Sequence, residues 1–158
     1  MAVKILSHFT ATQRRSAPRG TGDLLTGRWA AVDANGQAVV PGAGSKIGLY
    51  LVLEGNLIHI GSPTDFDTSP FPSTNSEQLP ANKASNQVAL AYGVFRYEVG
   101  PEGCNPGASY SVRDLVTSDN FGRLITTTDE ELALGSVEAV TTDTSSNVTK
   151  LVIRTFGK

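Results

Sequence analysis

The sequence has few of the residues from which most active sites and metal centres are built. It contains one cysteine, Cys104, and two histidines, His8 and His59. A single cysteine excludes a disulfide bond within the chain and agrees with a reducing compartment. Neither histidine has the spacing of a metal-binding motif, and we expect His59 to be a half-exposed strand residue. We predict a protein that is not an enzyme, with no catalytic residues, no structural metal and no cofactor.

Long apolar runs and a strong net charge are also missing. No run approaches the roughly 20 apolar residues of a membrane-spanning helix. In the opening stretch MAVKILSHFTATQRR the basic pair follows the apolar residues, the reverse of a secretory signal. With 18% charged residues and a formal net charge of -2, the chain lacks the basic excess of a nucleic-acid-binding protein. We expect production in the cytoplasm, with no membrane partner and no direct nucleic-acid partner.

Turn residues and short β-branched runs are abundant. The 16 glycines and 8 prolines, with many serines and threonines, favour frequent turns over long helices. We predict an all-β protein with a single antiparallel domain over residues 23–158. Residues 62–86 contain four prolines and no strand pattern, so we predict a long Pro/Ser/Thr-rich surface loop there.

The first 22 residues differ in charge from the rest of the chain. They carry four basic residues and no acidic one, which leaves a net charge of about -6 on the remainder. The four basic residues are Lys4, Arg14, Arg15 and Arg19. We predict that residues 1–22 form an extended arm that is ordered mainly by a partner, with these side chains as candidate contacts. The stretch AVKILSHF nevertheless has the pattern of a strand that pairs if an edge is available.

The stretch GLYLVLEGNLIHIG predicts a hairpin. A two-residue turn at Gly55-Asn56 would place Leu53 opposite Ile58 and Leu51 opposite Ile60. The same alternation assigns the leucines at 49, 51 and 53 to one face of the sheet, and Tyr50 and Val52 to the other.

Two other glycines interrupt strand patterns. In RWAAVDANGQAVV, Asn35-Gly36 predicts a type I′ turn between two short strands, because both central positions of that turn need positive φ. In QVALAYGVFRYEVG, the apolar phase changes at Gly93, which predicts a β-bulge within one strand.

The last third of the chain contains a predicted helical turn and a predicted hairpin. Thr128 and Glu131 have the spacing of a capping box, and Gly135 follows as a helix stop. A five-residue loop at 143–147 would pair the flanking strands, with Val137 facing Ile153 and Ala139 facing Leu151.

Similar segments occur twice in the chain. DLLT at 23–26 and DLVT at 114–117 each precede a glycine that opens an apolar run, at Gly36 and Gly122. A second glycine and apolar run follow each time, at Gly48 and Gly135. Duplication and a twice-used way of entering a barrel both account for this pattern.

Several features resemble functional sites but have simpler structural explanations. Turn capping accounts for Asp65 and Asp67 better than calcium binding, and dipole capping accounts for Asp129–Glu131 better than paired catalytic carboxylates. The glycines at 42–46 lack Walker spacing, and Cys104 has no base nearby in sequence. Alternating aromatics in a strand, here Tyr92, Phe95 and Tyr97, are more often core than a sugar-binding face.

The carboxy-terminal stretch DLVTSDNFGRLITTTDEELALGSVEAVTTDTSSNVTKLVIRTFG resembles the small capsid decoration, or cement, proteins of tailed bacteriophages. The shared pattern is an opening strand, a G-x-L-I strand, a short acidic turn, a G-x-V-x-A strand, a polar loop and a closing V-x-x-L-V-I strand. The resemblance covers residues 110–158 best and is echoed at 23–55.

The resemblance implies a structural virion protein made in the host cytoplasm and located on the outer surface of the phage head. It also implies the form of the body, which we expect to be a small antiparallel β-barrel, a β-tulip-like fold or a sandwich. Such a protein clamps neighbouring subunits of the major capsid protein, often as a homotrimer, and uses no cofactor. Two alternatives stay open at this point. One is another β-rich virion component, such as a tail-tube, neck or head-completion protein, and the other is a carbohydrate- or ligand-binding β-sandwich module.

Overall fold

The computed structural model describes residues 3–8, 13–20, 24–42, 47–57 and 87–158. These residues form two antiparallel sheets and no closed barrel, so the all-β prediction is confirmed in its sandwich form. The strands are β1 Lys4–His8, β2 Gln13–Pro18, β3 Trp29–Val32, β4 Ala38–Val39, β5 Tyr50–Leu57, β6 Gln87–Tyr92, β7 Phe95–Val99, β8 Leu115–Ser118, β9 Leu124–Thr127, β10 Gly135–Thr142 and β11 Val148–Thr155. A short 3-10 turn covers Pro101–Gly103.

The six-stranded sheet has the order β1-β7-β11-β10-β8-β9, and the five-stranded sheet has the order β2-β6-β5-β3-β4. The main core lies between them. Trp29, Leu51 and Ala91 of the five-stranded sheet pack in one cluster with Tyr97 and Ile153 of the six-stranded sheet. This burial of apolar area is the main stabilising contribution to the sandwich.

The five-stranded sheet curls strongly. Pro18 at the end of β2 pairs with Gln87 of β6, yet the next residue, Arg19, bridges Ala38 of β4 at the opposite edge. Gly20 N then donates to Ala38 O at 2.7 Å. In a flat sheet β2 and β4 would be four strand spacings apart, about 19 Å. The sheet therefore bends until its two edges meet at this one bridge, without closing into a barrel.

The curled sheet encloses a second core on its concave face. The residues of this cluster are each at most 1% exposed. They are Ala17, Leu24, Ala30, Ala38, Val52, Val88 and Leu90. Three of the seven are alanines, and small side chains suit a tightly curved sheet because little space lies inside the curve.

The two sheets contain the same four-strand arrangement. Strands β3 to β6 lie in the order β4-β3-β5-β6, and strands β8 to β11 lie in the order β9-β8-β10-β11. The glycine echo marks this repeat correctly, because Gly36 and Gly122 close equivalent turns. The repeated tetrapeptides DLLT and DLVT do not mark the structural repeat. DLVT contributes to β8, whereas the described residues of DLLT, 24–26, precede β3 and form no strand.

Three hairpin loops share one aspartate-headed geometry, in residues 33–37, 119–123 and 143–147. In each, the first and fifth residues share a backbone hydrogen bond, and the leading carboxylate accepts from the amides of the third and fifth residues. The fourth residue has positive φ. The hairpin at Asn35-Gly36 is therefore confirmed, but its type I′ turn is wrong because only Gly36 adopts positive φ.

The predicted hairpin at Gly55-Asn56 is wrong. β5 continues from Tyr50 to Leu57 straight through this dipeptide. Leu51 pairs with Trp29 on one side and Ala91 on the other, so no position is left for Ile60, which itself lies outside the described residues. The predicted alternation is confirmed, since leucines 49, 51 and 53 join the main core, while Tyr50 and Val52 join the second.

Gly93 does not form a bulge. With φ of 136°, it connects β6 of the five-stranded sheet to β7 of the six-stranded sheet, so the change of apolar phase marks a change of sheet. Both events reverse the side-chain phase, which is why the sequence pattern alone does not separate them.

The last third also departs from prediction in two places. Residues 129–133 form hydrogen-bonded turns and no helix, and Asp129, instead of Thr128, accepts from the Glu131 amide. Val137 faces Ile153 as predicted, but a bulge at Glu138 moves Leu151 opposite Val140. Ala139 consequently faces Val152.

The basic arm belongs to both sheets of its own domain. β1 pairs with β7 at an edge of the six-stranded sheet, and β2 pairs with β6 at an edge of the five-stranded sheet. Ala17 is buried in the second core, and Val3 and Ile5 pack against the main core. Intramolecular pairing thus orders these strands, contrary to the expectation that a partner does so. The predicted loop at 62–86 lies outside the described residues.

Candidate functional site

The four arm cations do not form one cluster. Lys4 is exposed on β1 at the edge of the six-stranded sheet, and Arg15 is exposed on β2 of the five-stranded sheet. Arg14 pairs through its backbone with Ala91, and its side chain lies outside what the structure describes. Arg19 is half-buried at the bridge to β4. Among the arm side chains that the structure describes, one exposed cation therefore lies on each sheet.

Arg15 forms a small aromatic cluster with two tyrosines. Its guanidinium carbon lies 5.5 Å from the centroid of the Tyr50 ring. The Tyr50 and Tyr92 ring centroids are 5.5 Å apart, and the Tyr92 hydroxyl donates to Gly157 O at 2.6 Å. A cation over an aromatic ring is attracted by the ring quadrupole, which holds the edge strand β2 against the sheet. The sequence did not indicate the contacts of Tyr50 with Arg15 and Tyr92, because they form only when β5 pairs with β6.

The aromatic row at 92–97 is mainly core. Phe95 and Tyr97 are fully buried, and only Tyr92 reaches the surface in part. Trp29 Nε1 donates to the Tyr97 hydroxyl at 3.1 Å, and burial raises the pKa of that hydroxyl far above its usual range. Tyr92, Phe95 and Tyr97 therefore do not form the flat exposed face that sugar stacking requires.

Cys104 lies where a thiolate is disfavoured. It is buried, and its Sγ donates to Gly100 O at 3.6 Å. Burial raises the pKa of the thiol to about 11, and the nearby Glu102 carboxylate adds to the rise, while a hydrogen bond with Tyr110 opposes it. At neutral pH the group is a protonated thiol, which is a poor nucleophile.

The other sequence candidates are structural or lie outside the described residues. Asp129, Glu130 and Glu131 are exposed in their turns. Across the described ranges, no three His, Cys, Asp or Glu side chains come together as a metal site requires. The same ranges contain no helix with the length and apolar character needed to cross a membrane. Asp65, Asp67, His59 and residues 43–46 are not described.

A cleft next to Cys104 is a feature that no sequence pattern indicated. It lies between the segment 101–110 and the far end of the β10–β11 hairpin. We call it the hairpin pocket. Its two walls are about forty residues apart in sequence, so it is visible only once the sheet is assembled.

Comparison of the chain with protein-family models, with curated proteins and with solved structures found no match.

Proposed function

We propose that the protein is a structural component of a phage virion that binds the outer surface of the assembled head. In this role it clamps neighbouring subunits of the major capsid protein, acts without catalysis or a cofactor, and works as a homo-oligomer, with a trimer favoured. The proposal begins from the sequence resemblance and is supported by the arrangement of the arm.

The resemblance falls on consecutive strands of one sheet. Its opening strand is β8, its G-x-L-I strand is β9, and its G-x-V-x-A and V-x-x-L-V-I strands are β10 and β11. The acidic turn at 129–131 links β9 to β10. The pattern therefore corresponds to one complete four-strand unit of the six-stranded sheet.

The observation that carries the proposal is that one basic arm supplies an edge strand to each sheet. In the described part of the chain, β1 and β2 are the terminal strands of their sheets, and both present an exposed cation. Edge strands have unpaired backbone groups that bind an extended segment of a neighbour, and exposed cations favour an acidic neighbour. A clamp between capsid subunits requires contacts of this kind at more than one place.

The test is co-sedimentation with undecorated heads at two salt concentrations. Charge reversal at Lys4 and Arg15 (Lys4→Glu with Arg15→Glu) should weaken binding roughly tenfold at low salt, since each exposed ion pair contributes about 0–1 kcal/mol. The loss should shrink at high salt because exposed charges are screened. Arg113→Glu with Lys158→Glu is the matched control, because it reverses two exposed charges that lie outside the arm.

Three outcomes would oppose the proposal. Wild-type protein that does not sediment with heads removes the head-binding function itself. Equal weakening by the two double variants removes the arm as its contact. Assembly of the purified protein into tubes, or selective binding on a glycan array, supports the tail-component or carbohydrate-binding alternative instead.

A further inference from the structure

The hairpin pocket is an open cleft that is large enough to hold a small ligand. Its volume is about 320 Å³, near the lower end of the roughly 300–1,000 Å³ typical of small-molecule pockets. One wall is the segment 101–110, held by the bonds from Asn105 N to Leu124 O and from the Tyr110 hydroxyl to the same carbonyl. The other wall is the far end of the β10–β11 hairpin, fixed by the aspartate-headed loop at 143–147.

The chemistry of the lining is neutral and partly apolar. None of the residues that line the pocket carries a charge at neutral pH, since the Cys104 thiol is protonated there. Apolar surface comes from both walls, through Pro101, Ala108, Val140 and Val148. Serine hydroxyls lie along it at 109 and 146. A charged group placed here would lose part of its hydration without gaining an ionic partner.

We propose that the hairpin pocket binds an uncharged, mainly apolar group containing one or two rings. The apolar walls contribute contact area, and the serines offer hydrogen bonds to a single polar substituent. Such a group is either a free small molecule or an aromatic side chain of a neighbouring protein, and the two sources share the same chemistry.

The binding test uses 2-naphthol and its charged counterpart 2-naphthalenesulfonate. In wild-type protein, 2-naphthol should shift the amide resonances of residues 104–109 and 140–148 saturably, as measured by two-dimensional NMR. The sulfonate should bind at least tenfold more weakly, because its charge would lose hydration and meet no cationic side chain in the lining.

Variants locate the binding. Ala108→Phe and Thr142→Phe fill the pocket from opposite walls and should each abolish the 2-naphthol shifts. Ala139→Phe is the matched control, because Ala139 is exposed on the opposite face of β10. The proposal is overturned if wild-type protein shows no saturable shift, if the sulfonate binds equally well, or if both filled variants fold and still bind.

Co-sedimentation with heads then identifies the source of the ligand. Selective loss of head binding by Thr142→Phe, but not by Ala139→Phe, assigns the occupant to a side chain on the head surface. Equal head binding by both variants assigns the pocket to a free small molecule. Only this sedimentation experiment rests on the proposed function, since the 2-naphthol titration tests the pocket by itself.

Discussion

The two sheets differ on the face that points away from the main core, which we call the second face of each sheet. The six-stranded sheet presents a charged face to solvent, where Arg96 pairs with Glu138 at 2.5 Å and Lys150 with Glu98 at 3.6 Å. The five-stranded sheet curls over its second face and buries a cluster there that includes Val52 and Leu90.

The difference is visible in the strand sequences. β7 reads FRYEV and alternates buried with half-buried residues, which is typical of a sheet with one face in water. β5 and β6 include YLVL and QVALAY, where apolar residues occupy both faces. One repeated four-strand unit thus gives an open sheet or a curled one, according to the residues on its second face.

The largest expected effect tests this contrast at two valines. Val52→Lys places an ammonium group inside the second core, where it has no partner, and should cost more than about 4 kcal/mol or prevent folding. Val152→Lys lies on the open face opposite Glu98 and should change stability by no more than about 0.5 kcal/mol. Urea denaturation of both variants measures the difference, and similar losses would mean that the two faces are equally buried.

The second test removes the arm strand by strand. Deleting residues 2–8 removes β1 together with the half-buried side chains of Val3 and Ile5, and should cost about 2 kcal/mol. Deleting residues 2–18 also removes β2 with buried Ala17 and uncovers the Val88 edge, so the total loss should reach about 4 kcal/mol. The sequence alone predicted that a partner orders residues 1–22, in which case their removal would cost the body little stability. Unchanged melting temperatures for both deletions would restore that prediction.

Features of the fold that depend on residues close together in sequence were predicted better than features that depend on distant residues. The turn at Gly36 was predicted from the Asn-Gly dipeptide itself, and the loop at 143–147 from the strand patterns on either side of it. The turn at Gly55-Asn56 had an equally good local signal but is wrong, because Leu51 gains two distant partners, Trp29 and Ala91, that a simple hairpin would not provide. Pairing across long sequence separations decided the fold there.

The candidate sites were less predictable for the same reason. The exposed cations at Lys4 and Arg15 were identified from composition alone. The contact of Arg15 with Tyr50 depends on three strands coming together, and the hairpin pocket depends on a loop and a hairpin that are distant in sequence. No local motif encodes either arrangement.

The third test compares the equivalent turn glycines of the two sheets. Both adopt positive φ, 77° at Gly36 and 83° at Gly122. A Cβ at Gly36 would meet open space, whereas a Cβ at Gly122 would come within 2.1 Å of Trp29 O. Gly36→Ala should therefore cost about 1 kcal/mol from backbone strain alone, and Gly122→Ala about 3 kcal/mol from strain plus overpacking. Equal losses in thermal unfolding would contradict the close approach of this turn to β3.

The smallest expected effect compares the equivalent turn aspartates. Asp33 accepts hydrogen bonds from two backbone amides, whereas Asp119 accepts from the amides of Phe121 and Arg123 and also from the side chains of Arg123 and Asn105. Each hydrogen bond contributes about 0.5–1.5 kcal/mol, so Asp119→Ala should cost about 2 kcal/mol and Asp33→Ala about 1 kcal/mol.

The Asp119 carboxylate also gives a pH signature. Burial of Asp119 opposes ionisation, but the hydrogen bonds from Arg123, Phe121 and Asn105 outweigh it and lower the pKa of the carboxyl. A lowered pKa means that this stabilisation is present above the unfolded pKa of about 4 and is lost as the pH falls through the folded value. The free energy of unfolding should therefore decline less steeply below about pH 4 in Asp119→Asn than in wild type. Denaturant unfolding from pH 6 to pH 2 measures both slopes, and parallel curves would show that Asp119 does not contribute in its ionised form.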